Sequence, residues 1–192
     1  MRAGLADPVL DAQGIFRCVL DAMAHPGRVV TVPSAVEPPP PLGLATAAVC
    51  LTLLDFETPL WLDPAARTPE VLEYLRFHCG APILESRAAA SFAVVADALQ
   101  LPPLGSFQAG SDEYPDRSTT VIVQAGEITE GVGRRLTGPG IDGARRLSVE
   151  GASPRIWGML LENQGLFPRG IDVLITAGSR LVGLPRTTRV ED

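Results

Sequence analysis

The chain has 192 residues, is 46% hydrophobic and has a mean hydropathy of +0.19, so it can bury a sizeable core and is not a disordered polymer. Its 22 acidic and 16 basic residues leave a net charge of −6, which argues against a duplex-DNA binder, since that needs a basic face. All the basic residues are Arg: without Lys there is no side-chain amine for a Schiff base with pyridoxal phosphate or a carbonyl substrate, and no Walker-type phosphate loop.

Cys18, Cys50 and Cys79 are odd in number and lack C-x-x-C spacing, as expected of reduced thiols rather than a disulfide framework. His25 and His78 are the only histidines, and no spacing supports a metal site. The N-terminus has no basic-then-apolar leader, and no apolar run reaches the roughly 18 residues of a membrane span. A cytoplasmic location with no membrane or nucleic-acid partner is expected.

In chain order, Asp7 caps a helix with Pro8 at its first position. Its apolar spacing turns Val9, Ala12, Phe16, Val19 or Leu20, and Met23 inward. It ends near Ala24, because His25 precedes Pro26 and Gly27 follows. His25 either sits exposed against the last helical carbonyls or contacts a ligand. Residues 28–32, starting at Arg28, read as a short strand. The proline run 38–41 is a stiff surface connector, and 42–54 is apolar nearly all round, hence a buried helix. Residues 58–62 look like a strand entering from a sheet edge, with Pro59 near its start.

Thr68-Pro69-Glu70 opens a helix that Gly80 closes, with Val71, Leu75 and His78 on one face. His78 is therefore a satisfied core histidine, or a ring held at a helix C-terminus where charge is favoured. Residues 91–96 form a central strand. Residues 111–118 are a polar knot containing Asp112, Glu113, Tyr114, Asp116 and Arg117, and it runs into a buried β-branched strand over 119–124. Either Arg117 ties this turn by pairing with a neighbouring carboxylate, or the scaffold presents these groups to a ligand or partner.

Gly126 and Gly131-Val132-Gly133 punctuate a hairpin-like region, with a strand over 134–137. Gly138 and Gly140 flank Pro139 and let the backbone turn sharply or approach something closely. A phosphate cradle there lacks a following helix N-terminus. A short strand at 147–150 precedes a helix begun by Ser153-Pro154, with Ile156, Trp157, Leu160 and Leu161 inward and Gly165 as its stop. Residues 171–176 are a core strand with Asp172 as the charge near its start. A last strand at 181–184 is closed by Pro185-Arg186-Thr187-Thr188. The fold class expected is α/β: one domain over 1–192, a three-layer sandwich with a mixed sheet of about six strands.

Six segments in order resemble one family: Met23-Ala24-His25-Pro26-Gly27, Phe77-His78-Cys79-Gly80-Ala81, residues 111–120, Gly138-Pro139-Gly140-Ile141, Phe167-Pro168-Arg169-Gly170-Ile171-Asp172, and Leu184-Pro185-Arg186-Thr187-Thr188. The likeness is to the H subunit of the bacterial carbon–phosphorus lyase complex and covers about residues 16–188. Cys79, Thr119 and Arg169 depart from its pattern. The resemblance implies a fold like the large domain of pyridoxal-phosphate-dependent transferases, without the cofactor. It also implies a homodimer that joins subunits G, I and J, and a complex that couples an alkyl phosphonate to the ribose of ATP with loss of adenine. The chain is then an accessory subunit in organic phosphonate catabolism, not catalytic alone, with no cofactor, metal or catalytic residue of its own. The alternative is an independent enzyme or nucleotide- or phosphonate-binding protein using His25, His78, Asp112, Arg117 and Arg186, since Arg suits bidentate phosphate recognition. The ligand- or partner-contact candidates are His25, Arg28, His78, Asp112, Tyr114, Asp116, Arg117, Gly138, Gly140, Asp172, Arg186 and Thr187.

Overall fold

A computed structural model describes residues 2–191. In chain order it contains α1 (Pro8–Ala24), β1 (Val29–Thr31), α2 (Leu44–Leu53), β2 (Leu60–Leu62), α3 (Pro69–His78), β3 (Ile83–Leu84), β4 (Phe92–Val95) and β5 (Thr120–Gln124). There follow β6 (Glu127–Thr137), β7 (Arg145–Glu150), α4 (Ile156–Gln164), β8 (Asp172–Ala177), β9 (Arg180–Leu184) and β10 (Arg189–Glu191). Seven strands make one mixed sheet in the order β1-β9-β8-β5-β4-β2-β3, and β10-β6-β7 make a separate antiparallel sheet. The α/β class and mixed sheet match expectation, and the main sheet has seven strands where about six were expected. β3 and β10 are too short to leave a pattern in the sequence.

Strand alternation divides the core in two. Leu60, Leu62, Val94, Ile122, Leu174 and Leu181 face α1, α2 and α3. Their neighbours Trp61, Ala93, Val95, Val121, Val123, Val173 and Ile175 face α4, the small sheet and the 98–107 segment. Both faces are buried, which is why β4, β5 and β8 read as continuous apolar runs. Each large side chain buried this way contributes about 1.5–3 kcal/mol. β2 lies between β3 and β4, so the expected edge entry is corrected: Pro59 stands just outside the ladder and its carbonyl accepts from Ser91 N–H (2.9 Å).

α1 starts as expected: the Asp7 carboxylate accepts from Val9 and Leu10 N–H. Its inward face agrees with expectation at Val19 and at Met23, which packs against the core, and differs elsewhere. Ile15, Val19 and Ala22 are buried, while Val9 (76% exposed), Phe16 and Leu20 face outward. The sequence carries two apolar stripes on this helix, and the choice between them is steric. At Gly183 of β9 an added Cβ would lie 2.6 Å from the Ala22 carbonyl oxygen, so only the small Ala22 face can come this close to the sheet. In α4, Leu161 likewise turns out to be exposed, while Ile156 and Leu160 are buried.

The path across the sheet reverses once. From β2 the chain crosses the first face through α3 to reach β3, then returns under β2 along the second face, burying Ala90, to reach β4. All later parallel connections proceed from β4 towards β8 over that second face. Gly183→Ala should push α1 off β9 and cost about 1–3 kcal/mol, read as a lower urea midpoint with an unchanged m-value. An unchanged midpoint would mean that this contact does not set the helix face.

Candidate functional site

Eleven of the twelve candidate residues gather around the amino ends of the parallel strands. Their centre is Arg186, which follows β9, and Asp172, which opens β8; both are largely buried, at 13% and 21% side-chain exposure. Arg186 N–H (2.9 Å) and Nε (3.2 Å) donate to Asp172 Oδ1, and Nη2 donates to Asp172 Oδ2 (2.5 Å) and Ser118 Oγ (2.7 Å). Nη1 donates to the Pro115 carbonyl (2.5 Å). The planar fork of Arg is thus spent on joining three segments, which the point charge of Lys cannot do.

The loop that Arg186 holds carries the polar knot. Asp112, Tyr114, Asp116 and Arg117 are exposed on it. Arg117 does not pair with a carboxylate in the turn; its guanidinium stacks 4.1 Å from the centre of the Tyr114 ring. Asp112 pairs instead with Arg169 (3.2 Å). Sequence reasoning missed Ser118 and Arg169 as partners, because both contacts are tertiary.

A second group lies beside the first. His25 Nδ1 approaches the carboxylate and carbonyl of Asp21 (3.0 and 3.1 Å), and Arg28 pairs with the same carboxylate (3.3 Å). The Gly138-Pro139-Gly140 turn packs here: a Cβ at Gly140 would meet the Ala24 carbonyl oxygen at 2.2 Å, and one at Gly138 the Thr187 carbonyl oxygen at 2.9 Å. Both glycines have positive φ, 128° and 81°. The close approach read from the sequence is therefore to protein backbone. His78 stands apart, beside the Arg2–Gly4 segment. Its Nε2 lies 3.2 Å from the Arg2 carbonyl, and its ring lies against Gly4. It is a half-buried latch on that segment rather than a core histidine.

The carboxyl ends of the strands carry a different chemistry. Gln124 ends β5: its Oε1 accepts from Gly43 N–H (2.6 Å) and Thr46 Oγ1 (2.8 Å), and its Nε2 donates to the Pro41 carbonyl (2.8 Å). Beyond β2 and β4, Asp63 is 2% exposed; Oδ1 accepts from Ala66 N–H (2.8 Å) and Oδ2 from Asp97 N–H (3.0 Å). It staples together two loops that leave the sheet in opposite directions. Between them opens a cavity of about 630 Å³ lined by Trp61, Asp63, Arg87, Asp97 and Gln100. The only signal in the sequence was an acid placed just after each apolar strand. Burial raises all three thiols, Cys79 to about 12.

The model of the family described as bacterial phosphonate metabolism protein (PhnH) matches residues 3–191. The chain belongs to this family. A relative from Rhizobium meliloti (strain 1021), named alpha-D-ribose 1-methylphosphonate 5-triphosphate synthase subunit PhnH, is 38% identical over 186 residues, covering 97% of this chain and 93% of the relative. A protein of Stutzerimonas stutzeri named "Putative C-P lyase subunit protein HtxG" is 34% identical over 183 residues, covering 93% of this chain and 85% of that protein. In this PhnH-family chain, Arg186→Lys keeps the charge but loses the fork. It should cost about 2 kcal/mol and open the 109–118 loop to proteolysis. Wild-type stability and cleavage would show that the fork does not hold the loop.

Proposed function

We propose that the chain is an accessory subunit of a carbon–phosphorus lyase complex of the alpha-D-ribose 1-methylphosphonate 5-triphosphate synthase type, working in organic phosphonate catabolism and not catalytic alone. The observation that carries this is the 38% identity to a named subunit of such a synthase, across 97% of the chain. The side chains agree with it. Among the described residues Arg186 is spent on backbone and loop contacts, and His25 and His78 sit apart on separate backbone partners.

In this reading the chain pairs with itself and joins subunits G, I and J in the cytoplasm, and the complex couples a phosphonate to the ribose of ATP with loss of adenine. No described helix is long and apolar enough to cross a membrane, which is compatible with that location. Support for partners comes from the outer stripe of α1, where Val9, Phe16 and Leu20 are exposed in one chain. The sheet order and the absence of Lys are compatible with a relation to the large domain of pyridoxal-phosphate-dependent transferases that lacks the cofactor. The second reading, a ligand site built from Arg117, Arg186, His25 and His78, has less support, because these residues belong to separate groups.

The exposed Arg117–Tyr114 stack suits a subunit contact, where Arg and Tyr contribute most. In reconstitution with subunits G, I and J, Arg117→Ala should weaken assembly and lower turnover in parallel, each by about tenfold for a contact of this kind. A mutant that assembles normally while turnover is lost would put this loop in a reaction site.

A further inference from the structure

The reversal of the chain path at β2 and β4 has a consequence at their carboxyl ends. The loop after β2 leads to α3 on one face, and the loop after β4 leads to the 98–107 segment on the other. Diverging loops leave a crevice, and in open α/β sheets this is where small ligands bind. The crevice is real here: about 630 Å³, within the usual range for ligand sites, and braced by the buried Asp63. It adjoins a second cavity of about 410 Å³, with Arg87, Gln100 and Pro102 lining both.

The charge of the second cavity is unusual for this protein. Arg87, Arg155, Gln100 and Ser153 line it together with apolar residues, and no carboxylate does, in a chain of net charge −6. The Arg87 guanidinium sits 5.6 Å from the centre of the Trp61 ring, and Trp61 is itself wedged edge-on against Phe107 at 5.7 Å. That stack fixes the cation at the mouth between the two cavities without neutralising it. Among the described residues neither Arg87 nor Arg155 makes an ion pair, whereas Arg28, Arg67, Arg135, Arg169 and Arg186 all do. Two guanidinium forks, a side-chain amide and a hydroxyl around one cavity form a donor set for a tetrahedral oxyanion.

We propose that this switch-point crevice binds a small organic phosphate or phosphonate. Its phosphoryl or phosphonyl oxygens lie between Arg87 and Arg155, and its organic part lies in the larger cavity beside Asp97 and Gln100. The site is remote from the Arg186 clamp, so it is independent of the residues that hold the amino-end loops. The choice of probes rests on the proposed function, but the site itself does not.

The test is calorimetric titration of the purified full-length chain with methylphosphonate and, separately, with ATP, alongside the fluorescence of Trp61 in a Trp157→Phe background. Binding of either probe is expected, with a Trp61 signal, and weakening with added salt. Arg155→Ala, at an exposed position that leaves the core untouched, should weaken it about tenfold, and Arg87→Ala at least as much. Methylphosphonate binding alone assigns a phosphonate, and ATP binding alone assigns a nucleotide; either supports the site. No binding of either at millimolar concentration, or binding that Arg155→Ala and Arg87→Ala both leave unchanged, overturns it. A chain that binds neither probe yet restores activity to the complex would retire this site and keep the proposed function. A chain that binds but is dispensable to the complex would do the reverse.

Discussion

A sheet buried on both faces can present polar chemistry only at the two ends of its strands. In this chain the constraint is strict, because Leu60, Val94, Ile122 and Leu174 fill one face while Val95, Val121, Val173 and Ile175 fill the other. Polar groups with work to do are therefore expelled to the strand termini. The amino ends receive Asp172, Arg186, Ser118 and the turn around His25. The carboxyl ends receive Gln124, Asp63 and Asp97. Nearly everything that distinguishes this protein from a generic α/β sandwich lies at one of these two edges.

The two edges differ in how much of their chemistry is used up. At the amino ends Arg186 is consumed by Asp172, Pro115 and Ser118, and the Gly138-Pro139-Gly140 turn is consumed by the backbone of Ala24 and Thr187. Such an edge is a rigid platform, and what it displays outward is the Arg117–Tyr114 stack and Asp112. That suits recognition by another protein. At the carboxyl ends the Asp63 staple and the Gln124 hydrogen bonds are internal, yet Arg87 and Arg155 border open cavities without a carboxylate partner among the described residues. Under the proposed function and the proposed anion site, partners would meet one edge and a small anion the other.

Local signals in the sequence were read well where local chemistry decides. Asp7-Pro8 and Thr68-Pro69-Glu70 set two helix starts, and the β-branched run at 120–124 sets a central strand. Choices made by distant contacts were not legible. α1 has two apolar stripes, and only the approach of Gly183 to Ala22 selects Ile15, Val19 and Ala22 over Val9, Phe16 and Leu20. Gly131 and Gly133 read as turn punctuation but fall inside the long β6, where the register shifts between Glu130 and Arg134 and no hairpin turn forms. The candidate site shows the same division. Asp172 and Arg186 stand out in sequence as charges at strand ends, and the structure brings them together. Arg87 and Trp61 are 26 positions apart on different segments, and nothing local announces that one covers the other.

The proposed function requires that the complex need this chain and that the chain be inert without it. The direct measurement is adenine release from ATP plus methylphosphonate, followed for three preparations: the chain alone, subunits G, I and J without it, and all four together. Release is expected only from the full set, and is restored when the chain is added back to the other three. Adenine release by the chain alone, or undiminished release by the others in its absence, would contradict it.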